Sequence, residues 1–271
     1  MHGCLYCYAI KFPKFVGPVV PRLRLKKDVL KMVKGTRLRL PVMLSDTTDP
    51  YQPIEKEYEI TRACLEALAK HGFPILIVTK SDLVVRDIDI FKKTPTVVSI
   101  TITTSRNAIA AAIEPNAPSP EARFTALKRI ADEGIPTVVR IDPIIPTVNS
   151  DMGDLEKIVS KAAEIGVKQI TASTMKLVRG LLPSIRRVNP ELSRRLAGIY
   201  SDGEWIMGYK YLRRDLRLKI LENLKSLVEK YGLKFATCRE GFPNLNTAIC
   251  DGTAYCRGFL DRFLGKQHSL N

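Results

Sequence analysis

The chain has 271 residues, 45% of them apolar, which is enough to bury one sizeable core. No apolar run approaches the roughly 18–20 residues of a membrane span, and the first residues lack the charged-then-apolar layout of a signal peptide. We therefore expect a soluble, cytoplasmic protein with no membrane partner. Lysine and arginine exceed aspartate and glutamate by 43 to 28, a net charge of +15. This excess either attracts nucleic acid or forms a densely charged surface.

Six short runs rich in β-branched residues indicate buried strands, and amphipathic patterns between them indicate helices. The predicted strands are 40–44, 74–79, 96–102, 136–141, 169–173 and 234–237. The predicted helices are 55–70, 120–133, 153–165 and 215–231. Alternating strands and helices with short connections form parallel sheets with right-handed crossovers. No Gly-x-Gly-x-x-Gly follows a strand, and polar clusters follow several strand ends. We predict an α/β fold, a partial parallel barrel with its chemistry at the strands' carboxyl ends.

Cys4 and Cys7 form a C-x-x-C pair at the start of the chain. Alone, this pair also fits zinc sites and thioredoxin-like redox pairs. The stretch His-Gly-Cys-Leu-Tyr-Cys-Tyr-Ala is more specific, because it resembles the C-x-x-x-C-x-x-C loop of radical S-adenosylmethionine (SAM) proteins, in the form found in spore photoproduct lyase-like members. The first loop cysteine would fall immediately before Met1, so we expect that ligand and the first barrel strand to be missing. His2 is either a loop residue or a substitute nitrogen ligand.

The resemblance implies a (β/α)6-type partial barrel and a 4Fe–4S cluster that three cysteines hold at three irons. The open fourth iron would bind SAM, and a reducing electron donor would supply the electron that cleaves SAM to a 5′-deoxyadenosyl radical. It assigns Cys4 and Cys7 to the cluster, Tyr6 to SAM binding, and both Tyr6 and Tyr8 to the catalytic side.

Two sequence blocks after predicted strands strengthen the resemblance. The block from Asp46 to Glu55 matches T-D-P-Y-Q-P-x-E, which implies a SAM pocket lined by Ser45, Asp46, Thr47 and Thr48. Thr79-Lys80-Ser81 resembles the start of T-K-S-x-L-V-x-R-D, where Lys80 would pair with the SAM carboxylate. In spore photoproduct lyase, a cysteine in the first region donates a hydrogen atom. Asp46 stands at that position as a catalytic candidate, but a carboxylate cannot replace a thiol, so we do not expect an identical mechanism.

Further polar residues match the same family in chain order. Ser99, Glu114 and Arg123 correspond to its S-I-T, E-P and S-x-x-x-R elements, which implies more SAM contacts. Glu114 and Arg123 are equally compatible with a structural ion pair. Arg140 and Asp142 match a block on the substrate side, with a salt bridge bracing the barrel rim as the alternative.

Three cysteines fall in one turn-rich stretch after the last predicted strand: Cys238, Cys250 and Cys256. They predict a second iron–sulfur cluster or a zinc site, with ordinary turn cysteines as the alternative. We assign residues 1–237 to the barrel and 238–271 to a cysteine-containing extension packed on it. Cys64 lies on an apolar helix face and is predicted to be a buried hydrophobe. Trp205, Met207 and Tyr209 are interpreted as packing or pocket residues.

These observations predict an iron–sulfur enzyme that reductively cleaves SAM and acts on nucleic acid. Lyase and transferase chemistry both remain open. One alternative is radical modification of a small molecule or a peptide. The other is a non-catalytic iron–sulfur or zinc-binding module, because radical SAM folds host many unrelated chemistries and the cluster loop is incomplete in this sequence.

Overall fold

A computed structural model describes residues 1–12, 20–45 and 47–256 of the chain. Its strands are β1 (Val42–Leu44), β2 (Ile75–Thr79), β3 (Thr96–Thr101), β4 (Thr137–Ile144), β5 (Gln169–Thr174), β6 (Trp205–Ile206), β7 (Tyr209–Lys210) and β8 (Lys234–Thr237). Six of them form one parallel sheet in the order β1-β2-β3-β4-β5-β8, and β6 pairs with β7 in an antiparallel hairpin. The predicted α/β class and partial barrel are confirmed, and all six predicted strands are present.

Helices connect and cover the strands of this sheet. They are α1 (Leu25–Gly35), α2 (Glu55–Tyr58), α3 (Ile60–Lys70), α4 (Ile88–Phe91), α5 (Asn107–Ile113), α6 (Pro120–Asp132), α7 (Met152–Ile165), α8 (Leu181–Val188), α9 (Pro190–Ile199) and α10 (Arg214–Lys230). Short 3-10 helices lie at Tyr8–Lys11, Asp82–Asp87, Pro243–Leu245 and Thr253–Tyr255. Three of the four predicted helices are present with ends shifted by one residue at most.

The predicted helix 55–70 is wrong as a continuous element. Glu59 adopts a left-handed conformation with a φ of 45° and separates α2 from α3. The break lets the Glu55 carboxylate fold back over the start of α3, where it accepts hydrogen bonds from the backbone N–H groups of Thr61 at 3.0 Å and Arg62 at 3.2 Å. Those groups have no partner inside the helix, so the carboxylate caps α3 and complements its dipole.

Side chains alternate between the two faces of each sheet strand. Val98 and Ile100 of β3 belong to the large core beneath the helices. Val97 points the other way and packs with Leu76 and Val138 in a separate cluster inside the barrel. This arrangement buries both faces of the sheet and leaves the strands' carboxyl ends to form the mouth of the barrel.

The segment after β8 fills part of the barrel interior. At Gly252, which has a φ of 80°, a Cβ atom would lie 3.1 Å from Val97 Cγ1 and 3.4 Å from Val138 Cγ2, so the left-handed backbone and the close approach both favour glycine. Cys256 packs with Leu76, Val97 and Val138. We call residues 249–256 the plug.

No helix within the described ranges combines the length and the apolar character needed to cross a bilayer.

Candidate active site at the barrel mouth

The turn that carries Cys4 and Cys7 is pinned to the end of α5. The Leu5 N–H donates to the Ile113 carbonyl at 2.9 Å, and the Asn116 N–H donates to the His2 carbonyl at 3.1 Å. Gly3 has a φ of 70°, and a Cβ there would lie 3.1 Å from Asn116 Nδ2. The close approach and the left-handed backbone both call for glycine.

Cys4 and Cys7 lie in one turn, closed by a hydrogen bond of 3.1 Å from the Cys7 N–H to the Cys4 carbonyl. Both thiols are half-buried. Burial raises the pKa of Cys4, while the Lys80 ammonium opposes that shift. Thiolates are the ligands that iron–sulfur clusters take, so the pair fits two positions of such a cluster. In the part of the chain that the structure describes, no group of three or more His, Cys, Asp or Glu side chains is placed to hold a metal ion.

A buried carboxylate supports this turn from below. Glu114 accepts hydrogen bonds from the hydroxyls of Tyr6 and Thr103, and Arg123 Nη2 lies 2.5 Å from its Oε2. The Arg123 and Glu114 side chains are only 1% and 0% exposed and form a buried ion pair, the structural role that the sequence left open. Their SAM contacts stay predictions. Burial alone would raise the pKa of Glu114, but the charges of Lys80 and Arg123 outweigh it and lower the pKa.

Lys80 follows β2 and extends toward the cysteine turn. Its Nζ lies 5.6 Å from the centroid of the Tyr6 ring, within the range of a cation–π contact. Asp49 fixes the backbone beneath it by accepting hydrogen bonds from the Lys80 N–H at 2.7 Å and from Thr79 Oγ1 at 2.6 Å. The ammonium is therefore aimed at the cysteine turn by a rigid strand end.

His2 lies under the same turn, with its Nε2 3.4 Å from an Asp49 oxygen. The ring is 6% exposed. Burial alone would raise the pKa of Asp49, but interactions with His2, Thr79 and Lys80 lower it. This geometry makes His2 a partner of Asp49 at the base of the turn.

The remaining predicted SAM contacts are placed less tightly. Ser45 has a φ of 90° and, like Thr47, is half-buried, whereas Thr48 is exposed. Asp46 lies outside the described residues. Ser99 is buried in β3, in register with Val78 and Val138, and shares the interior face with Val97. Their SAM contacts stay predictions.

A second polar group lies on the opposite side of the mouth, at the ends of β4, β5 and β8. Arg140 Nη2 donates to Asp142 at 2.9 Å, which confirms the predicted rim salt bridge. Ser173 Oγ donates to the other oxygen of Asp142 at 2.6 Å. Burial would raise the pKa of Asp142, but the charges of Arg140 and Lys176 and the Ser173 bond lower it to about 2.

The sequence analysis missed the buried carboxylate on this side, Glu240. It accepts hydrogen bonds from Lys176 Nζ at 2.7 Å and from the Thr174 N–H at 2.8 Å. Arg217 Nη1 lies 3.3 Å from its Oε2. These partners come from the end of β5, from the residues just after it and from α10, so no local motif connects them. The one available signal is the place of Glu240 two residues after Cys238, at a strand end.

The structure does not bring the three C-terminal cysteines together as one metal site. Cys238 and Cys250 are half-buried neighbours at the end of β8, and a hydrogen bond from Cys250 lowers the pKa of Cys238. Cys256 is buried in the plug cluster, and burial raises its pKa to about 11. Cys64 is 3% exposed on α3, which confirms the predicted buried hydrophobe.

The hairpin of β6 and β7 projects beside the mouth. Met207 and Gly208 both have positive φ angles, 49° and 80°, as in the two-residue turn that matches strand twist. Trp205 is 53% exposed and Met207 is 90% exposed, so the packing interpretation is wrong for both side chains. Tyr209 connects the hairpin to the cysteine turn, because its ring meets the Tyr8 ring edge-on at 6.1 Å between centroids.

Comparison with known proteins identifies related sequences. A family model described as the Radical SAM superfamily matches residues 1–159. An uncharacterised protein of Methanocaldococcus jannaschii is 35% identical to this chain over the matched region. That region covers 59% of this chain and only 61% of the relative's own length. An uncharacterised protein of Acidianus two-tailed virus is 31% identical over 74% of this chain and 75% of its own length.

A spore photoproduct lyase variant with bound SAM and a dinucleoside spore photoproduct is a structural neighbour. It superposes with a TM-score of 0.67 at 14% identity, over 87% of this chain and 72% of its own. At this identity the likeness concerns the fold, which agrees with the partial barrel described above.

Proposed function

The chain belongs to the radical SAM superfamily, and we propose that it reductively cleaves SAM at the barrel mouth and uses the resulting radical on nucleic acid. The observation that carries the first half is the cysteine turn itself. It is anchored to α5 and faces the Lys80 ammonium at the end of β2. This arrangement combines thiolate ligands with a cation at the end of a barrel where α/β barrels hold their chemistry.

Cys4 and Cys7 supply two of the three thiolates in this proposal. In the family's C-x-x-x-C-x-x-C spacing, the third thiolate comes from a cysteine four positions before Cys4. A bound 4Fe–4S cluster with SAM supplies one-electron cleavage of the sulfonium, which releases methionine and a 5′-deoxyadenosyl radical.

The side chains around the turn bind and orient the cofactor in this proposal. Lys80 pairs with the SAM carboxylate, because its backbone is fixed by Asp49 and its ammonium already lies over Tyr6. Glu114 and Arg123 hold Tyr6 in place from below. The other proposed SAM contacts are Ser45, Asp46, Thr47, Thr48 and Ser99.

Anaerobic reconstitution tests the cleavage step. The chain as printed, and a version extended by its in-frame upstream codons, are loaded with iron and sulfide, then mixed with SAM and dithionite. We expect 5′-deoxyadenosine by chromatography from the extended version, and its loss in Cys4→Ala and Cys7→Ala. Cys64→Ala is the matched control, because that thiol is buried on α3. A loaded, extended protein that forms no 5′-deoxyadenosine would contradict the proposal.

Lys80 gives a sharper test of cofactor binding. We expect Lys80→Met to raise the KM for SAM by about 10-fold or more, because a charge-assisted contact is worth about 1.5–3 kcal/mol. Lys80→Arg keeps the charge and should lose less. Lys92→Met removes an exposed lysine paired with Glu133 and serves as the control. Equal KM values for the wild type and the three variants would show that Lys80 does not bind SAM.

Charge and exposed aromatic surface near the mouth support the nucleic-acid half of the proposal. The net charge is +15, and helices α8 and α9 carry exposed arginines beside the mouth: Arg186, Arg187, Arg194 and Arg195. The exposed Trp205 ring stands on the hairpin that contacts Tyr8 through Tyr209. Basic surface combined with an exposed aromatic ring suits phosphate contacts and base stacking.

Fluorescence anisotropy with labelled single-stranded and duplex oligonucleotides tests this half. We expect binding that weakens steeply as salt rises, because released counterions drive it. Trp205→Ala should weaken binding by about 10-fold, since stacking on one base contributes about 1–3 kcal/mol. Met207→Ala should weaken it less, and Met152→Ala makes the same change at an exposed site on α7 as a control. Binding of neither oligonucleotide at low salt would contradict a nucleic-acid substrate.

A further inference from the structure

Cys238 and Cys250 are brought together by the way the chain returns after β8. The Cys238 N–H donates to the Ala172 carbonyl of β5 at 3.0 Å, which continues the sheet pairing by one residue. The chain then turns back along β8, where the Thr247 N–H donates to the Phe235 carbonyl at 2.8 Å. This return brings Cys250 back to β5, next to the strand end that carries Cys238.

Arg140 reaches both cysteines from β4. Its Nη1 lies 3.4 Å from the Cys250 carbonyl oxygen, which also accepts a hydrogen bond of 3.1 Å from Thr171 Oγ1. The Arg140 charge also acts on Cys238 and lowers the pKa of its thiol. Arg140 in turn pairs with Asp142 at 2.9 Å. The backbone of the pair is therefore fixed from two strands, and the permanent charge of Arg140 acts on both thiols.

The two thiols are not equivalent. The hydrogen bond donated by Cys250 lowers the pKa of Cys238, and the Arg140 charge lowers it further against the effect of burial. The same hydrogen bond raises the pKa of Cys250. The other charged groups that act on the pair are Asp142 of β4 and Asp251 of the plug. Both shifts favour Cys238 as the thiolate of the pair and Cys250 as the protonated thiol.

The buried cysteines behave differently. Cys64 and Cys256 are 3% and 2% exposed, and burial raises the pKa of each to about 11. A neutral, buried thiol is a poor nucleophile, because the thiolate is the reactive form. These two residues provide matched internal controls within the same chain.

We propose that Cys238 and Cys250 form a thiol–disulfide exchange site at the barrel mouth that reduces small-molecule disulfides. The Cys238 thiolate attacks one sulfur of the disulfide, forms a mixed disulfide and expels one thiolate. Cys250 then loses its proton to the expelled thiolate and attacks the Cys238 sulfur, which expels the second thiolate. The pair gives up two electrons and becomes a Cys238–Cys250 disulfide, while the small disulfide becomes one thiol and one thiolate, and the thiolate takes a proton from water. This site does not depend on SAM cleavage.

The first test measures reactivity in the full, reduced chain after treatment with a chelator. Iodoacetamide labelling is followed for each cysteine by peptide mass spectrometry across a pH series. We expect the labelling rate of Cys238 to reach half its maximum below pH 7. At neutral pH, Cys238 should be labelled at least 10-fold faster than Cys64 and Cys256. Arg140→Met should move the Cys238 midpoint upward, because the facing cation is removed. A Cys238 profile like that of Cys64 would overturn the proposal.

The second test follows the exchange itself with oxidised glutathione as the probe. We expect peptide mapping of the wild type to find a Cys238–Cys250 disulfide that dithiothreitol reverses. Cys250→Ser should accumulate one glutathione on Cys238, whereas Cys238→Ser should prevent modification of Cys250. Absence of the mixed disulfide in a folded Cys250→Ser protein would overturn the proposal. Stoichiometric zinc or iron in the purified chain that is lost in both variants would also overturn it, in favour of a metal site.

Discussion

The two sides of the barrel mouth are built in different ways. On the side of β2 and β3, the polar groups come from short motifs and from the N-terminal turn, and Glu114 pairs with a cation only nine positions away, Arg123. On the side of β4, β5 and β8, Glu240 pairs with Lys176 and Arg217, which lie 64 and 23 positions away. The polar residues of the first side stand in recognisable local motifs, whereas the Glu240 network of the second side exists only in the folded chain.

The largest expected effect comes from breaking the long-range side. Glu240→Ala leaves two nearly buried cations, Lys176 and Arg217, without their carboxylate partner. We expect it to lower the free energy of unfolding by about 3–5 kcal/mol. Urea denaturation measures this change. Glu156→Ala removes an exposed pair with Lys230 and should leave stability unchanged within error. Equal midpoints for both variants would show that the Glu240 network contributes nothing to stability.

The plug provides the next prediction. Gly252→Ala places a methyl group against Val97 in a left-handed backbone, and strain plus overpacking should cost about 3 kcal/mol. Gly241 has a similar φ of 76°, but a Cβ atom there would have no neighbour within 4 Å. Gly241→Ala should therefore lower the free energy of unfolding by less than Gly252→Ala, and the difference measures the cost of the close contact. Matched urea unfolding curves measure both variants. If the two cost the same, the tight fit of the plug against β3 would be refuted.

Acid should weaken the rim salt bridge. The pKa of Asp142 is lowered to about 2 when folded, so its contribution is present above the unfolded pKa of about 3.9 and is lost as pH falls toward about 2. Between about pH 5 and about pH 2, we expect the free energy of unfolding to fall by about 2 kcal/mol more in the wild type than in Asp142→Asn. Parallel pH slopes for the two proteins in urea titrations would mean that the carboxylate is not stabilised by Arg140.

The smallest effect concerns the helix that delivers Arg123 to Glu114. Ser119 accepts a hydrogen bond from the Ala122 N–H at 3.2 Å and begins α6 as its N-cap. Ser119→Ala should cost about 1 kcal/mol, and Ser119→Gly only a few tenths. Thermal unfolding of both variants measures the difference. The reverse order would rule out capping as the role of Ser119.

The sequence predicted the sheet well because its signals are local. Buried β-branched runs, the Ser119-Pro120 start of α6 and the glycine stops all act within a few residues. The break at Glu59 escaped detection because the apolar pattern continues through it, and the Glu55 carboxylate that caps α3 after the break has no local sequence signature.

The cofactor side was predicted more fully than the opposite side for the same reason. Lys80 and Cys4 stand in recognisable blocks, so their placement near each other was expected. The neighbours Cys238 and Cys250 were grouped with Cys256, because sequence spacing cannot show that the chain doubles back along β8. Glu240 was missed because its partners are distant in sequence.

The plug has a consequence for how such a protein diversifies. One continuous segment, rather than side chains from every strand, fills the interior beside Val97 and Val138. A change in that segment reshapes the floor of the mouth without altering a strand register or the turn that holds Cys4 and Cys7. New chemistry can therefore arise by exchanging one stretch of chain while the half that carries the cysteine turn is inherited intact.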